Sequence, residues 1–142
     1  MKILVDTNII IDILEKREPF YHDSYRIIQL GLEGKLELFM SAGSITDVYY
    51  IINRSLHNNN KAKEKIFALT NLVSICNTTS DDITNALVLF MNDFEDAVIA
   101  SIAKRERANY IVTRNEEDFS GSPVPAINPV QFLQELDTSN KL

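Results

Sequence analysis

The stretch Ile3-Leu4-Val5-Asp6-Thr7-Asn8 constrains the fold more than any other part of the chain. Three consecutive apolar residues suit a strand buried on both faces. The run stops at a carboxylate, and Ile9, Ile10, Ile13 and Leu14 then recur at helical spacing. Strand therefore passes directly into helix through Asp6-Thr7-Asn8. In an open α/β sheet, ligands collect beyond the carboxyl ends of the strands. Asp6 stands at such an end. A carboxylate there is unfavourable unless paired, hydrogen-bonded or bound to a cation, so position alone marks Asp6 as a functional candidate.

The rest of the chain repeats this alternation. A helix is expected over 6–16, broken by Pro19. Residues 22–33 read as a second helix with Tyr25, Ile28 and Leu32 on one face, closed by Gly34. Residues 36–40 read as a strand and Ser41-Ala42-Gly43 as a turn. Helices are expected over 44–56, 61–72 and 81–91, and a further one from 92 through Ala103. Strands are expected over 73–76 and 110–113. A polar loop follows over 114–122, then an extended piece over 123–127 whose prolines favour a sheet edge. Asn128-Pro129 should cap a last helix over 130–136, with a frayed tail over 137–142. Strands alternating with helices predict an α/β fold, a mostly parallel sheet between helical layers in one domain.

Composition serves mainly to exclude. A length of 142 residues gives one domain room for a core. The single cysteine, Cys76, rules out an internal disulfide and suits a reducing cytosol. Asp6 and Asp12 interrupt the first apolar run, which lacks a signal-peptide pattern. No apolar segment is long enough to span a membrane, so a cytoplasmic location is expected. The formal net charge of −6 argues against a broadly basic nucleic-acid surface.

Four acidic residues stand at element junctions: Asp6, Asp47, Asp96 and Asp118. Each but Asp6 has an ordinary structural explanation. Ser44-x-x-Asp47 and Asp93-x-x-Asp96 have capping-box spacing, and acids in a first helical turn are favoured by the helix dipole. Asp118 in a polar loop suits a solvated turn. If the four converge, their repulsion must be relieved by raised pKa values or by a cation. Oxygen donors suit Mg²⁺ or Mn²⁺, and His22 and His57 lie in separate polar segments. An acidic metal site can activate water and grip a phosphodiester. Bound cations would also answer the charge objection.

These residues resemble the PIN domain family, and within it the bacterial VapC type of toxin. Leu4-Val5-Asp6-Thr7-Asn8 is similar to its first motif and Asp47 to its second acidic position. Asp93-Phe94-Glu95-Asp96-Ala97 with Ile99-Ala100 is similar to its third motif. Ile111-Val112-Thr113-Arg114-Asn115 with Asp118-Phe119 is similar to its fourth region. The resemblance implies a three-layer α/β/α fold and an endoribonuclease dependent on Mg²⁺ or Mn²⁺. It implies an RNA substrate, a cognate antitoxin and a homodimer. Carried over by position, Asp6 and Asp96 are the principal metal ligands, with Asp118 completing the set and Asp47 acting in catalysis, directly or through water. Thr7, Asn8, Asp93, Thr113 and Asn115 are supporting residues that orient carboxylates or water.

Two departures stand out. Asp47 occupies a position where many relatives have the longer Glu, and Asn115 stands where many have Asp. Both favour an alternative, a weak or inactive PIN-like module that binds RNA or protein. A phosphohydrolase using Asp6 as nucleophile is a third possibility; the haloacid dehalogenase type has a second Asp two residues on, where this chain has Asn8. Among Lys16, Arg17, Arg54, Lys61, Lys104, Arg105 and Arg114, the last is the expected phosphate contact, because it lies in the site loop. Tyr49 and Tyr50 are expected in the core or an interface.

Overall fold

The computed structural model describes residues 1–139. Its centre is a sheet of β1 (Lys2–Val5), β2 (Glu37–Ser41), β3 (Ser74–Cys76), β4 (Tyr110–Val112) and β5 (Ala126–Ile127). The strand order is β3-β2-β1-β4-β5, and every neighbouring pair is parallel. Leu4 pairs with Phe39 on one side and Ile111 on the other. Those three point to one face and pack with Ala100, Ala103, Phe119 and Val124. Ile3, Val5, Leu38, Met40 and Val112 alternate to the opposite face, as the two-residue period of a strand requires.

Seven helices among the described residues cover these faces. They are α1 (Thr7–Leu14), α2 (Tyr21–Leu32), α3 (Ala42–Leu56), α4 (Asn59–Thr70), α5 (Ser80–Ala86), α6 (Phe94–Arg105) and α7 (Pro129–Thr138). Ile9, Ile27, Val48, Leu69 and Phe132 place α1, α2, α3, α4 and α7 on the first core. The small residues Ala100 and Ala103 let α6 lie close on the second, and α5 packs against α6. The result is the expected three-layer α/β/α arrangement. No helix among the described residues is long and apolar enough to cross a membrane.

Several boundaries differ from the sequence expectation. There is no turn at residues 41–43: β2 runs straight into α3, because the Ser41 hydroxyl caps the helix by accepting the Ser44 amide at 3.1 Å. The helix expected to reach residue 91 ends at Ala86. Leu87, Val88 and Phe90 beyond it are 68%, 75% and 96% exposed, so no core holds them in helical register. Helix α1 stops at Leu14, and Lys16 adopts a positive φ of 49°. Asp137 and Thr138, expected in the tail, continue α7; residues 140–142 lie outside the described ones.

Gly121 ties the loop after the 3-10 turn Glu116–Phe119 to the segment before α6. Its φ is +89°, and a Cβ there would overlap the Phe90 carbonyl. Gly121→Ala is expected to destabilise the protein by more than about 1 kcal/mol, because neither the conformation nor the space suits a side chain. Urea unfolding should show a lowered midpoint at constant slope.

Candidate active site

β1 is flanked by β2 and β4. The chain winds outward through β2 and β3, then crosses back to lay β4 on the other side of β1. That reversal opens a crevice beyond the carboxyl ends of β1 and β4, where doubly wound sheets bind ligands. Asp6 follows β1 and Thr113 follows β4, so both point into it.

Hydrogen bonds lock this pair. Asp6 caps α1, its Oδ1 accepting the Thr7 amide at 2.8 Å. Its Oδ2 accepts from the Thr113 hydroxyl at 2.8 Å and from Asn8 Nδ2 at 3.4 Å. Asn8 Nδ2 also donates to Thr113 Oγ1 at 3.2 Å, and Asn8 Oδ1 accepts the Arg114 amide at the same distance. The buried Thr113 Oγ1 accepts the Asn115 amide at 3.1 Å. Burial raises the pKa of Asp6, opposed by the Thr113 and Thr7 hydrogen bonds; the charge of Asp118 raises it further.

The other acids arrive from both helical layers. Asp93 is the N-cap of α6 and accepts the Asp96 amide at 2.9 Å, so the capping explanation holds for Asp93. Asp96 itself is left free to face the crevice. Asp47 does not cap α3, since Ser41 does so. Asp6, Asp47, Glu95, Asp96 and Asn115 line one open cavity of about 710 Å³. Asp118, exposed in the 3-10 turn, stands near enough to raise both Asp6 and Asp96.

Glu95 is the residue that the sequence assigned no role. Repulsion from Asp47 is the chief cause of its raised pKa, with burial and Asp93 adding to it. The missed signal is position: Glu95 and Asp96 both fall in the first turn of α6, and both line the cavity.

Arg114, the expected phosphate contact, is engaged by a buried carboxylate. Its Nη2 donates to Asp12 Oδ1 at 3.2 Å and its Nε to Asp12 Oδ2. The guanidinium also lies over the Phe20 ring, 4.2 Å from the centroid. Asp12 is fully buried, so Arg114 is committed to neutralising it. An Asp inside the run Ile9-Ile10-Ile11-Asp12-Ile13 was the available clue, because such a carboxylate demands a partner. The cations on the cavity wall are instead Arg17 and Arg54. Arg105, another sequence candidate, is held by the buried Asp82 through Nε at 2.9 Å.

The donor chemistry fits a hard divalent cation: the crevice offers oxygen ligands whose mutual repulsion a cation would relieve. Among the described residues, no three acids are drawn together around one point. A Mg²⁺ ion needs no such cluster, since it takes one or two carboxylates and keeps several waters.

The pH dependence follows from Asp96. Burial, then the charges of Asp93 and Asp6, pushes it from the ordinary 3.8 up to about 6. The folded chain thus holds this proton more tightly than the unfolded chain, and ionising Asp96 opposes folding. Stability from this group is full below about pH 4 and is lost as pH rises through about 6. Asp96→Asn should therefore gain stability over wild type as pH rises across that window. Melting curves at successive pH values, without metal, check the sign; Mn²⁺ should then stabilise wild type more than the variant.

A parallel sheet of this order, with acids after β1, on α3 and at the start of α6, has the features of a PIN domain. A PIN domain profile matches residues 2–117, and the chain belongs to the PIN domain family. It is 26% identical over 142 residues to ribonuclease VapC1 of Aquifex aeolicus (strain VF5), with 96% of each chain covered. Its fold is similar to that in VapBC2 from Rickettsia felis bound to a DNA fragment from their promoter. The TM-score there is 0.72 at 20% identity, covering 90% of this chain and 98% of that one. VapC20 of Mycobacterium tuberculosis, a sarcin-ricin loop cleaving toxin, is similar with a TM-score of 0.64 at 16% identity. That match covers 84% of this chain and 95% of the other.

Proposed function

We propose that the chain is a metal-dependent endoribonuclease of the VapC type, the toxin of a toxin–antitoxin pair. The observation that carries this is the meeting of Asp6, Asp47, Glu95, Asp96 and Asp118 around the crevice beside β1. Its likeness to a ribonuclease over nearly its whole length supports the same reading. Mg²⁺ or Mn²⁺, held directly by Asp6 and Asp96 and through water by Asp118, would supply positive charge for the phosphate and acidify the attacking water. The remaining work belongs to the side chains. Thr7, Asn8 and Thr113 hold the Asp6 carboxylate in one orientation. Asp93 sets the first turn of α6 and so the direction of Asp96. Asn115 adds a neutral oxygen on the cavity wall. Glu95, its pKa raised chiefly by repulsion from Asp47, adds a further carboxylate to the charge that a cation would relieve.

The partners follow from the same reading: an RNA substrate, a cognate antitoxin and a second copy of the chain, all in the cytoplasm. The antitoxin draws support from the toxin–antitoxin complexes among the similar structures. Leu87, Val88 and Phe90 are exposed apolar side chains close together in the chain, and protein partners cover such side chains where they form a patch. Incubation of RNA with the purified protein in Mg²⁺, Mn²⁺ or EDTA tests the proposal. Cleavage with metal and none in EDTA is expected. Binding of RNA without cleavage under any metal would favour the alternative, a non-cleaving module, for which Asn115 in place of an acid is the motivating observation.

A further inference from the structure

Helix α3 carries Asp47, Tyr50, Ile51 and Arg54 on the cavity wall. These are positions i, i+3, i+4 and i+7 of one helix face. The row leads from the carboxylates to a cation along about 10 Å of helix. Tyr50 is not in the core: it is 67% exposed, with Tyr49 edge-on to it at 5.5 Å. Arg54 joins no ion pair among the described residues.

The charge around it is uneven. On a chain of net charge −6, residues 48–80 contain Arg54, Lys61, Lys63 and Lys65 against Glu64 alone. The fold gathers part of this excess at the end of α1. Lys65 Nζ donates to the Leu14 carbonyl at 3.5 Å, and Ser55 Oγ to Glu15 Oε1 at 3.2 Å. Glu15 Oε2 accepts both Nε and Nη2 of Arg17, whose guanidinium keeps further donors and also lines the cavity. A solvated helix face would not place its unpaired cation and its exposed aromatic ring in the cavity that holds the acids.

We propose that Tyr50, Arg54 and Arg17 form a docking rim for single-stranded RNA, in a mode that rests on the nuclease reading above. The two guanidinium groups hold phosphates of the strand beyond the cleaved bond, and the Tyr50 ring stacks on an unpaired base. Single strands expose base faces for such stacking, whereas paired RNA does not. The rim also explains how an acidic chain holds a polyanion: attraction is local to one wall.

The test is anisotropy of a labelled, unstructured RNA oligonucleotide with the intact protein in EDTA, across a range of salt. Arg54→Gln and Arg17→Gln should each reduce the slope of log affinity against log salt by about 0.7. Tyr50→Ala should weaken binding roughly tenfold with the slope unchanged. Lys104→Gln removes the same charge at the far end of α6 and should alter neither. An unchanged slope in Arg54→Gln, equal effects from Lys104→Gln, or no binding by wild type would overturn the rim. So would light scattering showing that Tyr50→Ala splits an oligomer while RNA affinity stays the same; the surface would then be a protein contact. Metal-dependent cleavage with none of these slope changes would reject the rim alone. The predicted slopes without cleavage under any metal would keep the rim and reject the nuclease.

Discussion

Asp6→Asn is expected to abolish RNA cleavage, with a rate loss on the order of 10²-fold or more, because stabilisation by a metal-held charge contributes several kcal/mol. The fold should survive. Asn keeps an oxygen to accept the Thr7 amide and cap α1. Burial disfavours the ionised form of Asp6, so the neutral amide removes a source of instability, and the melting temperature without metal should hold or rise. Calorimetric titration of Mn²⁺ should show binding to wild type and little to the variant. The expected signature is therefore lost cleavage, lost metal binding and undiminished stability. Cleavage at the wild-type rate by Asp6→Asn would remove Asp6 from the catalytic set. Lost cleavage with intact Mn²⁺ binding would move the principal ligand to another acid.

Arg114→Ala is expected to give the largest loss of stability. Asp12 is fully buried, and Arg114 is its ion-pair partner. Removing one member of a buried pair leaves an uncompensated charge, at about 3–5 kcal/mol. For a domain of this size the melting temperature should fall by about 10 °C or more. The double variant Asp12→Leu with Arg114→Met should recover most of that loss, because an apolar pair of similar volume removes both charges. Chemical denaturation of the single and double variants measures it. A single variant as stable as wild type but weaker for RNA would restore Arg114 as a phosphate contact.

Much of the fold was legible because the relevant signals are local. The apolar run at Ile3 to Val5, the helical spacing after it and the Asn128-Pro129 cap each depend on neighbours within a turn or two. The structure reproduces all three. Helix ends were less legible. Ser41 could close a turn or cap a helix, and only the packing of α3 on the first core selects the cap. Leu87, Val88 and Phe90 read as part of a helix, yet nothing buries them.

The same division runs through the site. Asp6 was marked by sequence because a carboxylate at the end of a buried strand is abnormal in itself. Thr113 was expected to orient a carboxylate, and it donates to Asp6 across 107 positions of chain. The pairing of Arg114 was not legible because its partner Asp12 lies 102 positions away, and nothing local to either residue names the other. Glu95 was passed over because its role depends on Asp47, which reaches the crevice from the opposite helical layer.

By itself, then, the sequence determined the alternation of strands and helices, the PIN-like order of acidic motifs and the special standing of Asp6. Tertiary structure alone decided which acids share a charge field, which arginines are bound to buried carboxylates and which reach the cavity wall. The physical reason is range. Periodicity and capping are settled within one turn of the chain, whereas ion pairing and desolvation are set by residues that meet only after β4 has crossed back to lie beside β1.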